Sequence, residues 1–295
     1  MSIRNNSRPI NLFNLTPPTN RKGSIHLIKR PKNLPDFTLP PLDEVVIGVQ
    51  FEPSGNYSSI HAKDIWELFK SHGYPDPQEQ PALDPSFETF GGSNPQSGIN
   101  FKLGPPILHS RFWFISPDKS HLVQFQPDRF LINWRNATEI NPYPRFETIA
   151  ESFEKCLKAL HDFFDKSLQS PLEINQAEVT YINTIPVENL SCIGEWLRFT
   201  SLEQVDLEGI NCNFSEIIKT GSGKPYARMN YSLQSVTSGD GKMKALKLTL
   251  TFRGKPAGTG VAEAMTFAFS GREKIVTQFT SLTTDKAHKK WNRKQ

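Results

Sequence analysis

The chain has 295 residues, 37% of them hydrophobic, and a formal net charge of +4; this is enough apolar content to bury a sizeable core in one large domain or two closely packed halves, and it excludes a compositionally disordered chain. The charge is unevenly spread: residues 1–32 hold seven basic side chains and no acid, residues 285–295 hold a net +4, and by difference the body between them stands at −7. An acidic body with basic ends is a poor grip for a phosphate backbone, which leaves nucleic-acid contact to the two ends alone.

The longest apolar runs, Val45 to Val49 and Phe112 to Ile115, fall far short of the roughly 18 residues of a membrane span. Met1-Ser2-Ile3-Arg4 leads into no apolar stretch of the kind a signal peptide requires, so no membrane association and a cytoplasmic location are expected. Cys156, Cys192 and Cys212 are odd in number, widely spaced and form no C-x-x-C pair. They read as reduced small apolar side chains, neither a disulfide framework nor a zinc site.

In chain order, residues 1–38 are rich in Asn, Pro, Ser and Arg and read as a basic arm in which only Ile25 to Ile28 suggests a short strand. Val45-Val46-Ile47-Gly48-Val49-Gln50-Phe51 is a β-branched run closed by Pro53-Ser54-Gly55, the first strand. Ser58 or Ser59 caps a helix with Ile65, Leu68, Phe69 and His72 at helical spacing, Trp66 at its centre and Gly73 and Pro75 at its end. Seven prolines and Gly91-Gly92 between Tyr74 and Pro106 predict a surface insertion over 73–106 without regular structure. Three strands follow, Leu108 to Ile115, His121 to Gln126 and Arg129 to Arg135, joined by the Ser-Pro-Asp-Lys turn at 116–119 and the Pro-Asp turn at 127–128. Pro144 then opens a helix to about Leu168 whose Ile149, Phe153, Cys156, Leu157, Leu160 and Phe164 form one stripe.

From Pro171 the order returns. Ala177 to Ile185 is a strand, Asn189 or Ser191 caps a short helix with Ile193, Trp196 and Leu197, and strands follow over Gly209 to Ile218, Tyr226 to Val236 and Ala245 to Phe252. In the last, Leu246, Leu248, Leu250 and Phe252 alternate with Lys247, Thr249 and Thr251, so the leucine side faces a core. A helix over Val261 to Leu282 closes the second round. The pairs Trp66/Phe69 and Trp196/Phe199 share one spacing. The expected fold is α+β: two β-α-β-β-β-α halves, 39–170 and 171–284, forming a curved antiparallel sheet with helices on one face, flanked by the 1–38 arm and a basic 285–295 tail.

Candidate chemistry is sparse. Gly221-Ser222-Gly223-Lys224 lacks the first glycine of a phosphate loop, is followed by Pro225 and joins two strands, so it reads as a hairpin turn. None of the seven histidines pairs at i, i+2 or i, i+4, although His109 and His121 face each other across the first hairpin. No catalytic residue, metal site or cofactor is indicated. On the strands, Phe130, Ile132 and Trp134 alternate with Leu131, Asn133 and Arg135, and Val179, Tyr181 and Asn183 alternate with Thr180, Ile182 and Thr184. Asn133, Arg135 and Asn183 are the candidate ligand-binding residues, since Arg and Asn commonly read polar groups.

Pro41-Leu42-Asp43-Glu44-Val45-Val46, Phe114-x-Ser116-x-Asp118, the helix after Tyr143, Tyr181-Ile182-Asn183 and Phe279-x-x-Leu282-Thr283 together resemble a sporadically distributed family of uncharacterised bacterial proteins of about this length. The family's pattern usually has Arg before Tyr-Ile-Asn, where this chain has Thr180. The resemblance implies the fold and no established activity, and the family's patchy distribution suits toxin–antitoxin or phage-defence cassettes. The expected function is non-enzymatic binding of a protein segment or small ligand at the sheet face or in the cleft between the halves. An enzyme with a site in that cleft is the alternative, and nucleic-acid binding through the basic termini the second alternative.

Overall fold

The structure, a computed structural model, describes residues 30–84, 86–90, 110–137, 142–200, 206–237 and 244–294. Ile25 to Ile28, His109 and the whole of the 91–106 stretch lie outside them. Among the described residues nine strands form one antiparallel sheet. They are β1 (Leu42–Phe51), β2 (Asp76–Gln80), β3 (Arg111–Ile115), β4 (His121–Gln126), β5 (Arg129–Arg135), β6 (Ile174–Val187), β7 (Asn211–Lys219), β8 (Pro225–Thr237) and β9 (Lys244–Gly254). Their order across the sheet is β2-β3-β4-β5-β1-β6-β9-β8-β7, so β1 and β6 meet at the centre, the last strand of each round lies beside its first, and the intervening strands follow outward in reverse chain order. The helices are α1 (Ala62–Lys70), α2 (Phe146–Lys166), α3 (Val261–Leu282) and α4 (Asp285–Lys290). No helix is long and apolar enough to cross a membrane.

Strand alternation decides which side is covered. Val45, Ile47 and Val49 of β1 stand opposite Trp134, Ile132 and Phe130 of β5 and opposite Tyr181, Val179 and Ala177 of β6, and all are buried under the helices. Phe130 stacks on Phe153 of α2 at 5.4 Å and on Phe69 of α1 at 5.6 Å. The predicted α2 stripe is buried in full, each large side chain contributing about 1.5–3 kcal/mol relative to exposure. On α3, a Cβ at Gly271 would stand 2.8 Å from Phe252 and 3.3 Å from Val179, so only glycine lets this helix approach the sheet so closely. A register shift between Leu42 and Glu44 lets Leu42, three residues before Val45, also face the helices.

Two stretches differ from expectation. The insertion supplies β2, which pairs with β3 from Asp76↔Ile115 to Gln80↔Arg111; Pro77 fits there because β2 is an edge strand and needs no second ladder. The last residues form no free tail. Trp291, buried, stacks on Phe279 at 5.2 Å and Trp196 at 6.1 Å, and Phe37 of the arm bridges to Arg293 and packs edge-on against Phe279 at 5.6 Å. Aromatic burial thus docks α4 and residues 34–39 to the end of α3.

Candidate functional site

The face of the sheet away from the helices carries Glu44, Val46, Gly48 and Gln50 of β1 and their partners. Cross-strand pairing sets Gln126 of β4 opposite Arg129 of β5, Arg129 opposite Gln50 of β1, and Gln50 opposite Gln176 of β6. The adjacent row continues outward through Glu178, Arg253 of β9 and Arg228 of β8. Long polar side chains on an open sheet face are ordinarily wet, yet Gln50, Gln126 and Gln176 are each 6% exposed and Arg129 is 7% exposed. The cover is the chain's own segment 81–90, as described at 81–84 and 86–90.

That segment is held by side chains reading its backbone. Gln126 donates to the carbonyl of Leu83 at 2.9 Å and accepts from the Leu83 N–H at 2.9 Å. Gln50 repeats the arrangement at Ser86, donating to its carbonyl at 2.7 Å and accepting from its N–H at 3.0 Å. Arg129 donates to the Asp84 carbonyl at 2.7 Å and to the Gln50 amide oxygen at 3.2 Å, and the Glu88 N–H donates to Gln176 at 3.5 Å. An amide that both donates to and accepts from one residue mimics the exchange between paired strands, so these glutamines act as single rungs of a ladder turned across the sheet.

Beyond the central strands the contacts turn to side chains. Arg253 donates to Glu178 at 2.6 Å and to Ser86 Oγ at 2.7 Å. Glu88 accepts from Arg228 Nε at 2.7 Å through one oxygen and from Asn230 at 3.2 Å through the other. Arg228 also donates to the Thr89 carbonyl at 3.0 Å and lies 5.5 Å over the Phe90 ring. From Gln126 on β4 to Arg228 on β8 is five strand spacings, about 24 Å, whereas residues 83–88 reach about 17 Å fully extended. The long Gln and Arg side chains span the remainder. Leu83 and Phe87 stay exposed, at 38% and 49%, so polar contacts rather than apolar burial seat this strap. Beneath it, between Gly48, Leu131 and Glu178, a cavity of about 10 Å³ remains, close to the room one water needs.

The three candidate residues occupy two places. Asn133 and Arg135 lie on the polar face at the end of the sheet away from the strap. Asn133, 4% exposed, donates to Glu44 and accepts from Gln124 at 2.8 Å; Gln124 also accepts from Arg111 at 2.9 Å and from the Trp113 indole at 3.0 Å. Arg135 stands 5.2 Å over the Trp113 ring. Asn183 faces the helices instead, donating to the Leu248 carbonyl at 3.2 Å. It lines a separate cavity of about 50 Å³ with Leu42, Tyr143, Arg145, Tyr181 and Phe279. There the hydroxyls of Tyr143 and Tyr181 meet at 3.1 Å, and Asp36 pairs with Arg145 at 2.8 Å and Arg30 at 3.6 Å. Burial pushes the Tyr143 phenol up to about 12 and holds Tyr181 well above its ordinary value, the neighbouring phenol adding to the second effect. Both stay protonated at neutral pH as hydrogen-bonding groups.

Residues 220–224 close the β7–β8 hairpin, with Gly223 at φ +82° and its N–H donating to Thr220. Burial raises the Cys156 thiol to about 12, far from a reactive thiolate. Among the described residues no three His, Cys, Asp or Glu side chains gather as metal ligands. The strap site escaped sequence reasoning because Gln50, Gln126 and Gln176 are far apart in the chain. Gln50 and Gln126 stand at the C-terminal ends of β1 and β4 and Gln176 near the start of β6, so no shared position within a strand links them. No family model matches the chain, and no curated protein matches it.

Proposed function

We propose that this is a non-enzymatic binding protein that receives an extended protein segment on the polar face of its sheet. The observation that carries the reading is the pair of reciprocal amide contacts by which Gln50 and Gln126 hold the backbone of Ser86 and Leu83. Side chains that satisfy backbone groups independently of sequence are suited to a peptide, as a sheet edge is in strand addition. We further propose that the two rounds are a duplication. Supporting it, the order outward from the central β1–β6 pair is β5, β4, β3 on one side and β9, β8, β7 on the other, so the row of polar side chains crosses the join of two like halves.

A photoreactive side chain at Thr249, on the polar face of β9 beyond the strap, tests this in cells. Cross-linking to a segment of one partner protein is expected, and replacing Gln50 and Gln126 together by Ala should abolish it. Cross-links unaffected by that pair of substitutions contradict the reading.

A second reading is a small ligand in the 50 Å³ cavity. Its support is that Leu42, Tyr143, Tyr181, Asn183 and Phe279, drawn from four of the stretches that carry the family resemblance, converge there. A volume of this order admits a few waters or a ligand of a few heavy atoms.

A further inference from the structure

The strap is bonded at two levels, and the second is selective. Gln126, Gln50 and Gln176 read only backbone, but Arg228 and Asn230 take one oxygen each of the Glu88 carboxylate, at 2.7 and 3.2 Å. The same guanidinium lies 5.5 Å over the ring of Phe90, two residues on, and Arg253 reaches Ser86, two residues back. Residues two apart in an extended chain point to the same side, so Ser86, Glu88 and Phe90 present one face to β9 and β8 while Leu83 and Phe87 are exposed. On the surface below, Arg129 pairs with Asp128 at 3.5 Å and Arg253 with Glu178 at 2.6 Å, and it is Arg228 that meets the strap's Glu88 with complementary charge. Glu88 and Arg228 side chains are 11% and 19% exposed, so their pairing is little screened by solvent.

We propose that Arg228 and Asn230 form a carboxylate clamp for an extended, acidic segment of a partner protein, one that carries an acid two residues before an aromatic, and that residues 81–90 occupy its place until it arrives. This rests on the reading of the polar face as a peptide-binding surface and adds the chemistry of the peptide. A seat built mainly from hydrogen bonds, with Leu83 and Phe87 of the strap left in water, exchanges occupants without exposing core. A competing segment needs only to reproduce the same rungs and the same carboxylate.

The test uses the full chain and a labelled synthetic peptide with the sequence of residues 81–90, followed by fluorescence anisotropy. In the chain, Glu88→Gln weakens the strap's hold on the clamp and keeps the side chain's size. The peptide should bind that variant about ten-fold more tightly than the unaltered chain, and a peptide with its own Glu replaced by Gln should lose about ten-fold, the usual scale of one charged hydrogen bond. Adding Arg228→Gln to the variant should erase the difference between the two peptides. If Glu88→Gln leaves the strap seated, Glu88→Lys sets a cation against Arg228 and expels it, with near-ultraviolet circular dichroism reporting that the core is intact. Equal affinity for the Glu and Gln peptides overturns the clamp and leaves the peptide-binding surface standing. Binding of neither peptide to a folded chain whose strap is cleaved readily by protease overturns the surface itself.

Discussion

Gln126 and Gln50 show how much a single side chain decides here. Each satisfies both backbone groups of one strap residue, and each hydrogen bond contributes about 0.5–1.5 kcal/mol net, so Gln126→Ala should release the Leu83 end by about 1–3 kcal/mol while leaving the core untouched. Limited proteolysis should then cut within residues 81–90 markedly faster, with little change in the thermal midpoint; unchanged cleavage would mean that the strap is held by something other than these amides. At this scale the sequence was partly legible. Alternation identified Asn133 and Arg135 as neighbours on one strand side, and they do share the polar face. It did not separate them from Asn183, because β6 and β5 alternate with equal regularity and only their registers with β1 say which phase faces the helices. The glutamine row was hidden for a similar reason, since cross-strand register is not written in any one strand.

At the scale of elements, β1 and the α2 stripe could be read directly because the signal is local: β-branched residues in a run, apolar residues at helical spacing. β2 and α4 could not. The prolines around β2 argue against a strand until its position at the edge is known, where Pro77 does no harm. The lysines of α4 suggest a solvated end until Trp291 is seen between Phe279 and Trp196. The docking of α4 also carries a pH dependence. His288 is buried, its Nε2 2.8 Å from Thr283 Oγ1. Burial first, then Arg293 and Arg198, hold its imidazole below the ordinary value against the opposing pull of Asp285. A histidine held down in the folded state binds its proton more readily when unfolded. Its contribution is therefore fully present above the unfolded value of about 6.5 and is lost as pH falls below it toward the folded value. Trp291 fluorescence should report loosening of α4 between about pH 7 and 5, and His288→Gln should remove that part of the change. His121, which burial also depresses against the pull of Asp118, keeps a residual dependence of the same sign. A Trp291 signal that is flat over this range in the unaltered chain would contradict the assignment.

For the molecule as a whole, the decisive property is that one face of the sheet packs against helices and the other is crossed, at one end, by a segment held through polar contacts. The first follows from binary patterning, which is why the antiparallel α+β architecture could be foreseen. The second depends on residues 81–90 crossing from β4 to β8, a path with no periodicity of its own. The most direct test of the peptide-binding surface is amide hydrogen exchange in the full chain, resolved at Leu83 and Ser86, with and without a saturating excess of the unlabelled 81–90 peptide. Those two N–H groups, held by Gln126 and Gln50, should be protected in the free protein and should lose protection together when the added peptide takes the strap's place. Peptide that binds while both amides keep their protection would place it elsewhere on the molecule and contradict the account.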